Sequence, residues 1–163
     1  MSAIAYLNFD GIAEQAIEFY SEALQATEVK KVKFKDFPQD PSYPLPENEL
    51  NMIMESSLEF AGGKIMMSDL LPSMKGVTGE LVTGNNILIS LVIDDKPKLE
   101  QYFNHLSVGG HVIMPLSAVP WSSCFGMLVD KFGICWKFNS DADKFLDKVI
   151  LDQAVKMNGS NQL

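Results

Sequence analysis

Two stretches decide the fold: LEFAGGKIMM at residues 58–67 and LVDKFGICWK at residues 128–137. Each predicts a strand, a turn containing glycine and a second strand. They share little identity, essentially the first leucine and the turn glycine. The repeat therefore lies in the pattern of elements and hardly in the residues.

The elements that precede each stretch repeat as well. Residues 3–9 and 86–93 predict strands, and apolar residues at helical spacing follow both of them. These apolar residues are Ala13, Ala16, Ile17, Tyr20 and Leu24 in the first half, and Leu99, Tyr102, Phe103 and Leu106 in the second. Further strands are predicted at 27–34, 52–60 and 111–115. The sequence thus predicts an α+β fold of two βαβββ modules.

The composition indicates an ordinary globular protein. With 163 residues, of which 47% are hydrophobic, the chain fits one domain, here 1–163. We expect modules at about 1–70 and 86–139 and a C-terminal helix at about 141–157. The net charge of −8 argues against a nucleic-acid partner, because phosphate backbones are bound by clustered Lys and Arg.

The compartment follows from what the sequence lacks. No stretch approaches the roughly 18 apolar residues of a membrane span, and the first residues carry no export signal. We therefore expect a cytoplasmic protein with reduced thiols at Cys124 and Cys135, although a disulfide between their two predicted strands is geometrically conceivable. No glycine-rich strand-to-helix turn is present for an adenosyl cofactor, and no cofactor is predicted.

Several motifs resemble a known family. They are YLNFDG at 6–11, AEQAIEFY at 13–20, GHVIMPL at 110–116, Trp121, and FGMLVDKFGICW at 125–136. These resemble the PhnB-like branch, often labelled 3-demethylubiquinone-9 3-methyltransferase, of the vicinal oxygen chelate superfamily. That superfamily includes glyoxalase I, extradiol dioxygenases, and bleomycin and fosfomycin resistance proteins. The resemblance covers residues 4–139.

The resemblance implies curved mixed sheets around a cavity and usually a homodimer, sometimes with exchanged modules. It does not imply one activity, since superfamily members place different chemistry on one scaffold. In metal-dependent relatives, His and Glu side chains hold a divalent ion. The corresponding positions here fall near Ile4 or Ala5, near Leu88 and at Lys137, with Glu55 as the lone carboxylate. Because one carboxylate does not make a site, we expect no bound metal.

The predicted pocket gathers residues from the first strands and the closing hairpins of both modules. The candidates are Tyr6, Asn8, Glu55, Asp69, Ser90, Trp121, Phe125, Met127 and Trp136. Aromatic and methionine side chains suit a flat or apolar small molecule, with Asn8, Glu55 and Ser90 as polar anchors. Glu55 is also the candidate catalytic residue, as a base or as the partner of a cationic ligand. Its polar segment, Met54 to Ser57, nevertheless favours the outward face of a strand over the pocket.

Three hypotheses follow. The first is a metal-independent protein that binds or sequesters a small molecule of unknown identity. The second is a metalloenzyme of glyoxalase or dioxygenase type. The third is a protein whose pocket is filled by its own side chains and which associates with itself or with another protein. Metal content and ligand-induced stabilisation distinguish the three.

Overall fold

The computed structural model describes residues 3–159. The chain divides into two compact units, the first ending at Gly84 and the second beginning at Asn85. The first unit contains β1 (Ala5–Phe9), α1 (Ala13–Ala23), β2 (Glu28–Lys33), α2 (Glu47–Leu50), β3 (Ile53–Phe60), β4 (Gly63–Asp69) and α3 (Lys75–Thr78). The second contains β5 (Ile89–Val92), α4 (Lys96–Leu106), β6 (His111–Val119), β7 (Ser122–Val129), β8 (Cys135–Asn139) and α5 (Ala142–Gly159). The predicted α+β fold of two βαβββ modules is confirmed.

Each unit has its own four-stranded mixed sheet. The strand orders are β1-β4-β3-β2 and β5-β8-β7-β6. The first and last strands of each unit pair in parallel, with Ala5 opposite Ile65 and Ile89 opposite Trp136. The remaining pairs are antiparallel. The last strand of each unit therefore lies inside its sheet, and β2 and β6 form edges.

The long helix of each unit covers one face of its sheet, which we call the near face. In the first unit α1 buries Ala16, Ile17 and Tyr20, and the buried strand residues include Leu58 and Ile65. Burying each large apolar side chain stabilises the fold by about 1.5–3 kcal/mol. Because strand side chains alternate, the neighbouring residues project from the opposite, far face.

The near face of the second unit is identified by ring contacts with α4. Phe103 on α4 meets Phe138 on β8 edge-on, with ring centroids 5.0 Å apart. A Cβ added to Gly126 on β7 would lie 3.0 Å from the Phe103 ring. Phe138 and Gly126 are direct cross-strand partners, so this row belongs to the near face. Residues 137 and 139 therefore project from the far face.

Some predicted boundaries need correction. The strand predicted at 86–93 is shorter, at Ile89–Val92, and the strand predicted at 111–115 extends to Val119. Within residues 3–159, no helix combines the length and apolar content that a membrane span requires.

The two cysteines are free and buried. Cys135 pairs with Val129 at one end of the β7–β8 hairpin, whereas the carbonyl of Cys124 accepts a hydrogen bond from the Ser140 N–H at the other end. The two cysteines therefore form no disulfide with each other.

Candidate functional site

The far face of the first sheet brings Tyr6 and Glu55 together. Met66 on β4 is paired with both Tyr6 on β1 and Ser57 on β3, so these three side chains share one row on the far face. Glu55 lies two residues from Ser57 and projects from the same face. Asn8 likewise follows Tyr6 on that face.

A polar network surrounds the Glu55 carboxylate. The Tyr6 hydroxyl interacts with Glu55 and with the Ser68 hydroxyl. Glu55 Oε1 also accepts from the backbone N–H of Ser56 at 3.1 Å. Burial is the main cause that raises the pKa of Tyr6; the Glu55 carboxylate raises it further, and the Ser68 hydrogen bond opposes the rise. The Tyr6 phenol therefore stays protonated at neutral pH and remains a donor.

Glu55 borders a cavity of about 180 Å³. The lining residues are Lys30, Lys31, Val32, Glu55, Ser56, Ser57, Lys64 and Met66. The lysines at its rim are paired with other carboxylates, Lys30 with Glu28 at 2.8 Å and Lys64 with Glu59 at 3.3 Å. Among residues 3–159, no cation forms an ion pair with Glu55. The carboxylate keeps acceptor capacity for a ligand.

Three other predicted residues lie on the far face of the second sheet. Ser90 and Met127 flank Lys137 on either side, and Phe125, two residues before Met127, lies on the same face. Trp121 lies in the turn between β6 and β7 and contacts Phe125 edge-on, with centroids 5.8 Å apart. The Trp121 side chain also lines a cavity of about 380 Å³. The predicted residues are thus divided between the two units.

Asp69 and Trp136 do not reach the far face. The Asp69 carboxylate accepts the backbone N–H of Ala13 at 2.9 Å and of Ile53 at 2.9 Å, which joins the start of α1 to the start of β3. Trp136 is fully buried on the near face, where its indole N–H donates to Asp130 at 2.8 Å. Both side chains therefore make hydrogen bonds that support the fold, and neither lines the predicted pocket.

The far face also carries residues that sequence reasoning missed. Ser68 and Met66 complete the network and the cavity wall around Glu55. The available signal was alternation along β4, which places 66 and 68 on one face and 67 and 69 on the other.

Apart from the Glu55 carboxylate, the donors in the rows around Tyr6 and Lys137 are poor ligands for a divalent metal. The paired rows present a phenol and a thioether at Tyr6 and Met66, and a hydroxyl and an ammonium at Ser90 and Lys137. A protonated lysine has no lone pair, and a thioether is a poor ligand for hard ions. Within residues 3–159, no three His, Cys, Asp or Glu residues are grouped so as to hold a metal ion.

Comparison with known proteins places this arrangement in a family. The sequence model described as 3-demethylubiquinone-9 3-methyltransferase matches residues 1–139. The chain is 30% identical over 142 residues to Protein YjdN of Escherichia coli K12, covering 82% of this chain and 91% of YjdN. The chain belongs to this PhnB-like family.

Several solved structures have a similar fold. Protein PA1353 from Pseudomonas aeruginosa has a TM-score of 0.72 and 30% identity, covering 86% of this chain and 98% of PA1353. A putative 3-demethylubiquinone-9 3-methyltransferase, PhnB protein, from Bacillus cereus has a TM-score of 0.63 and 21% identity, covering 86% and 99%. A glyoxalase/bleomycin resistance protein/dioxygenase from Nocardioides shares the fold, with a TM-score of 0.50 and 15% identity, covering 86% and 83%.

Proposed function

We propose that this protein binds or sequesters a small organic molecule, without a divalent metal, through the far face of its first sheet. The observation that carries the proposal is the Glu55 carboxylate, which borders a cavity and is oriented by Tyr6 and Ser56 without an ion-pair partner among the described residues. A ligand with a cationic or N–H group complements this carboxylate. Met66 and Val32 supply apolar wall.

The size of the cavity limits what the first sheet alone can hold. Drug-sized ligands occupy pockets of roughly 300–1,000 Å³, whereas this cavity measures about 180 Å³. It accommodates one polar end of a ligand, with the remainder of the molecule extending beyond it.

A thermal-shift screen of cationic and aromatic metabolites tests the proposal, and Glu55→Gln is the critical variant. Charge-assisted hydrogen bonds contribute about 1.5–3 kcal/mol, so the variant should bind a hit roughly tenfold to a hundredfold more weakly. A saturating hit at about 100 times its Kd should stabilise the wild-type protein by about 2.7 kcal/mol.

The matched control is Glu59→Gln, because Glu59 projects from the same face of β3 and is paired with Lys64. It should bind hits as the wild-type protein does. Metal analysis of dialysed protein completes the test. One equivalent of tightly held metal that Glu55→Gln abolishes would contradict the proposal and support the metalloenzyme. A protein stabilised by no ligand would support the third hypothesis, an occluded pocket.

We also propose that the protein is a cytoplasmic homodimer. The two free cysteines support a reducing compartment. Exposed apolar side chains at Leu146 and Ile150 on α5 support association, because they form a stripe at i and i+4 on a helix that is largely exposed.

A further inference from the structure

The second unit contains a cavity that has no part in the proposed function. It measures about 380 Å³, and its walls are formed by residues 118–123, around the β6–β7 turn, and by side chains from Asp141 and the first two turns of α5. Small-molecule sites typically measure roughly 300–1,000 Å³. This cavity is therefore large enough for a small organic ligand.

Hydroxyl groups fix one wall of this cavity. Ser122 Oγ donates to the carbonyl oxygen of Ser140 at 2.7 Å, and Ser123 Oγ lies 2.8 Å from Ser140 Oγ. The Ser123 hydroxyl also donates to the Asp141 carboxylate. Because Ser122, Ser123 and Asp141 all line the cavity, these hydrogen bonds order the wall before a ligand binds, which lowers the entropic cost of binding.

Two aromatic side chains present open surface to the same cavity. Trp121 is 41% exposed and Phe145, on α5, is 37% exposed, and both are lining residues. The edge-on contact with Phe125 supports the Trp121 ring from one side. Aromatic rings favour stacked or edge-on contact with other rings, and covering their apolar surface is itself favourable. The walls therefore suit a flat aromatic ligand.

The charge at the cavity is positive. The Lys144 ammonium is already shared between Asp141 at 2.8 Å and Asp94 at 3.2 Å. Lys148 lies one helical turn later and also lines the cavity, and within residues 3–159 no carboxylate forms an ion pair with it. In a chain of net charge −8, this leaves an uncompensated ammonium beside the aromatic walls. An anionic group complements it.

We propose that this cavity binds a planar aromatic carboxylate. The ring of the ligand lies against Trp121 and Phe145, and its carboxylate accepts hydrogen bonds from Lys148 Nζ. The inference goes beyond the proposed function, because the site belongs to the other unit and takes a ligand of the opposite charge from the one that Glu55 complements. Phe145 and Lys148 also lie beyond residue 139, where the family match ends.

The apolar stripe of α5 leaves this site open. Lys148 is two residues from both Leu146 and Ile150, which places it about 200° around the helix from each of them. Phe145 and Lys148 are three residues apart and share one side of α5. The same helix can therefore support both association and ligand binding.

The test titrates 2-naphthoate into the ¹⁵N-labelled full chain while the two tryptophan indole N–H signals are followed by NMR. Trp136 is the internal control, because it is fully buried and donates to Asp130. We expect a saturable shift of the Trp121 signal and none of the Trp136 signal. The neutral isostere 2-naphthamide should bind about tenfold more weakly, since it lacks the charge that pairs with Lys148. An unmoved Trp121 signal, or equal binding of the two probes, overturns the inference.

Lys148→Gln then removes the charge at an exposed position, so its melting temperature should match that of the wild-type protein. The variant should lose the preference for 2-naphthoate and bind 2-naphthamide as before. Lys156→Gln is the matched control, because it removes the same charge from the same helix, eight residues further along and outside the cavity. It should keep the preference. A preference retained in Lys148→Gln overturns the inference, and so does an equal loss in Lys156→Gln, which assigns the preference to the overall charge of the helix.

These outcomes are separable from those of the first sheet. Glu55→Gln should leave the binding of 2-naphthoate unchanged. If no metabolite depends on Glu55 while 2-naphthoate depends on Lys148, only the proposed function fails. The reverse pattern removes only this inference.

Discussion

The two tryptophans have opposite surroundings, and their substitution by phenylalanine should have opposite consequences. Trp136 is fully buried and donates to Asp130, whose other carboxylate oxygen accepts the N–H groups of Phe132 and Ile134. Trp136→Phe should destabilise the protein by about 2–4 kcal/mol, through a cavity and a lost buried donor. Trp121 is 41% exposed, and Trp121→Phe should stay within about 1 kcal/mol. Urea unfolding measures both; equal losses would contradict the assigned environments.

The sequence does not show which of two neighbouring strand residues projects from the far face, and this limited the prediction of the site. The composition around Asp69 and Trp136 suggested pocket residues, but the neighbouring Ser68 and Lys137 are the ones on the far face. A shift of one residue moves a strand side chain to the other face. Tyr6 could be proposed because it lies on a first strand, and Glu55 because it is the lone carboxylate near the positions of the family's metal ligands. Their interaction depends on which residues of β1, β4 and β3 lie opposite one another, and composition does not determine that register.

At the scale of elements, ion pairs connect helix α1 to the edge strand β2. Glu14 on α1 pairs with Lys31 at 2.7 Å and with Lys33 at 2.8 Å. Alternate lysines of this strand therefore face the helix. The two lysine hydrogen bonds lower the pKa of Glu14 to about 2.

This lowered pKa predicts that the free energy of unfolding falls slightly as the solution becomes acidic. A carboxylate whose pKa is lower in the folded state stabilises the fold above its ordinary value of 4.5 and loses that contribution as pH falls toward 2. The paired side chains are 24–39% exposed, so solvent screens the interaction and the loss should be below about 1 kcal/mol. Urea unfolding between pH 5 and about 2 should show it in the wild-type protein. Glu14→Gln should reduce it, whereas Glu18→Gln, an exposed control on α1, should not.

Elements whose apolar residues repeat at a regular spacing could be predicted from the sequence, whereas the short elements could not. The buried stripes of α1 and α4 repeat at helical spacing, and glycine turns mark both closing hairpins. The four-residue helices α2 and α3 are too short to show a period, and prolines and glycines surround them. Their formation depends on local contacts, such as the buried Glu49 carboxylate accepting the Ser73 N–H at 2.8 Å.

For the whole molecule, α5 is the element that lies beyond the family match, which ends at residue 139. The expected dimer can be tested through it. Sedimentation at micromolar concentration should show a dimer in the wild-type protein. Leu146→Lys combined with Ile150→Lys should shift it to monomer without lowering the melting temperature, because these side chains are 57% and 63% exposed.

Leu151→Lys is the matched control for this experiment. Leu151 is 64% exposed but lies about 100° around the helix from Ile150, outside the stripe. The control should remain dimeric. A wild-type monomer, or a double variant that remains dimeric, would remove α5 from the proposed interface.

The interior position of β8 has a consequence for shortened chains. β8 is the last strand in sequence, yet it is the sole strand that joins β5 to β7 in the second sheet. A chain that stops before Cys135 would not simply lack an edge; it would split this sheet into a lone strand and a hairpin. A chain that stops after Asp141 retains all eight strands. Tolerance to premature termination should therefore change abruptly across a few residues, from complete loss of the second unit to a nearly intact fold.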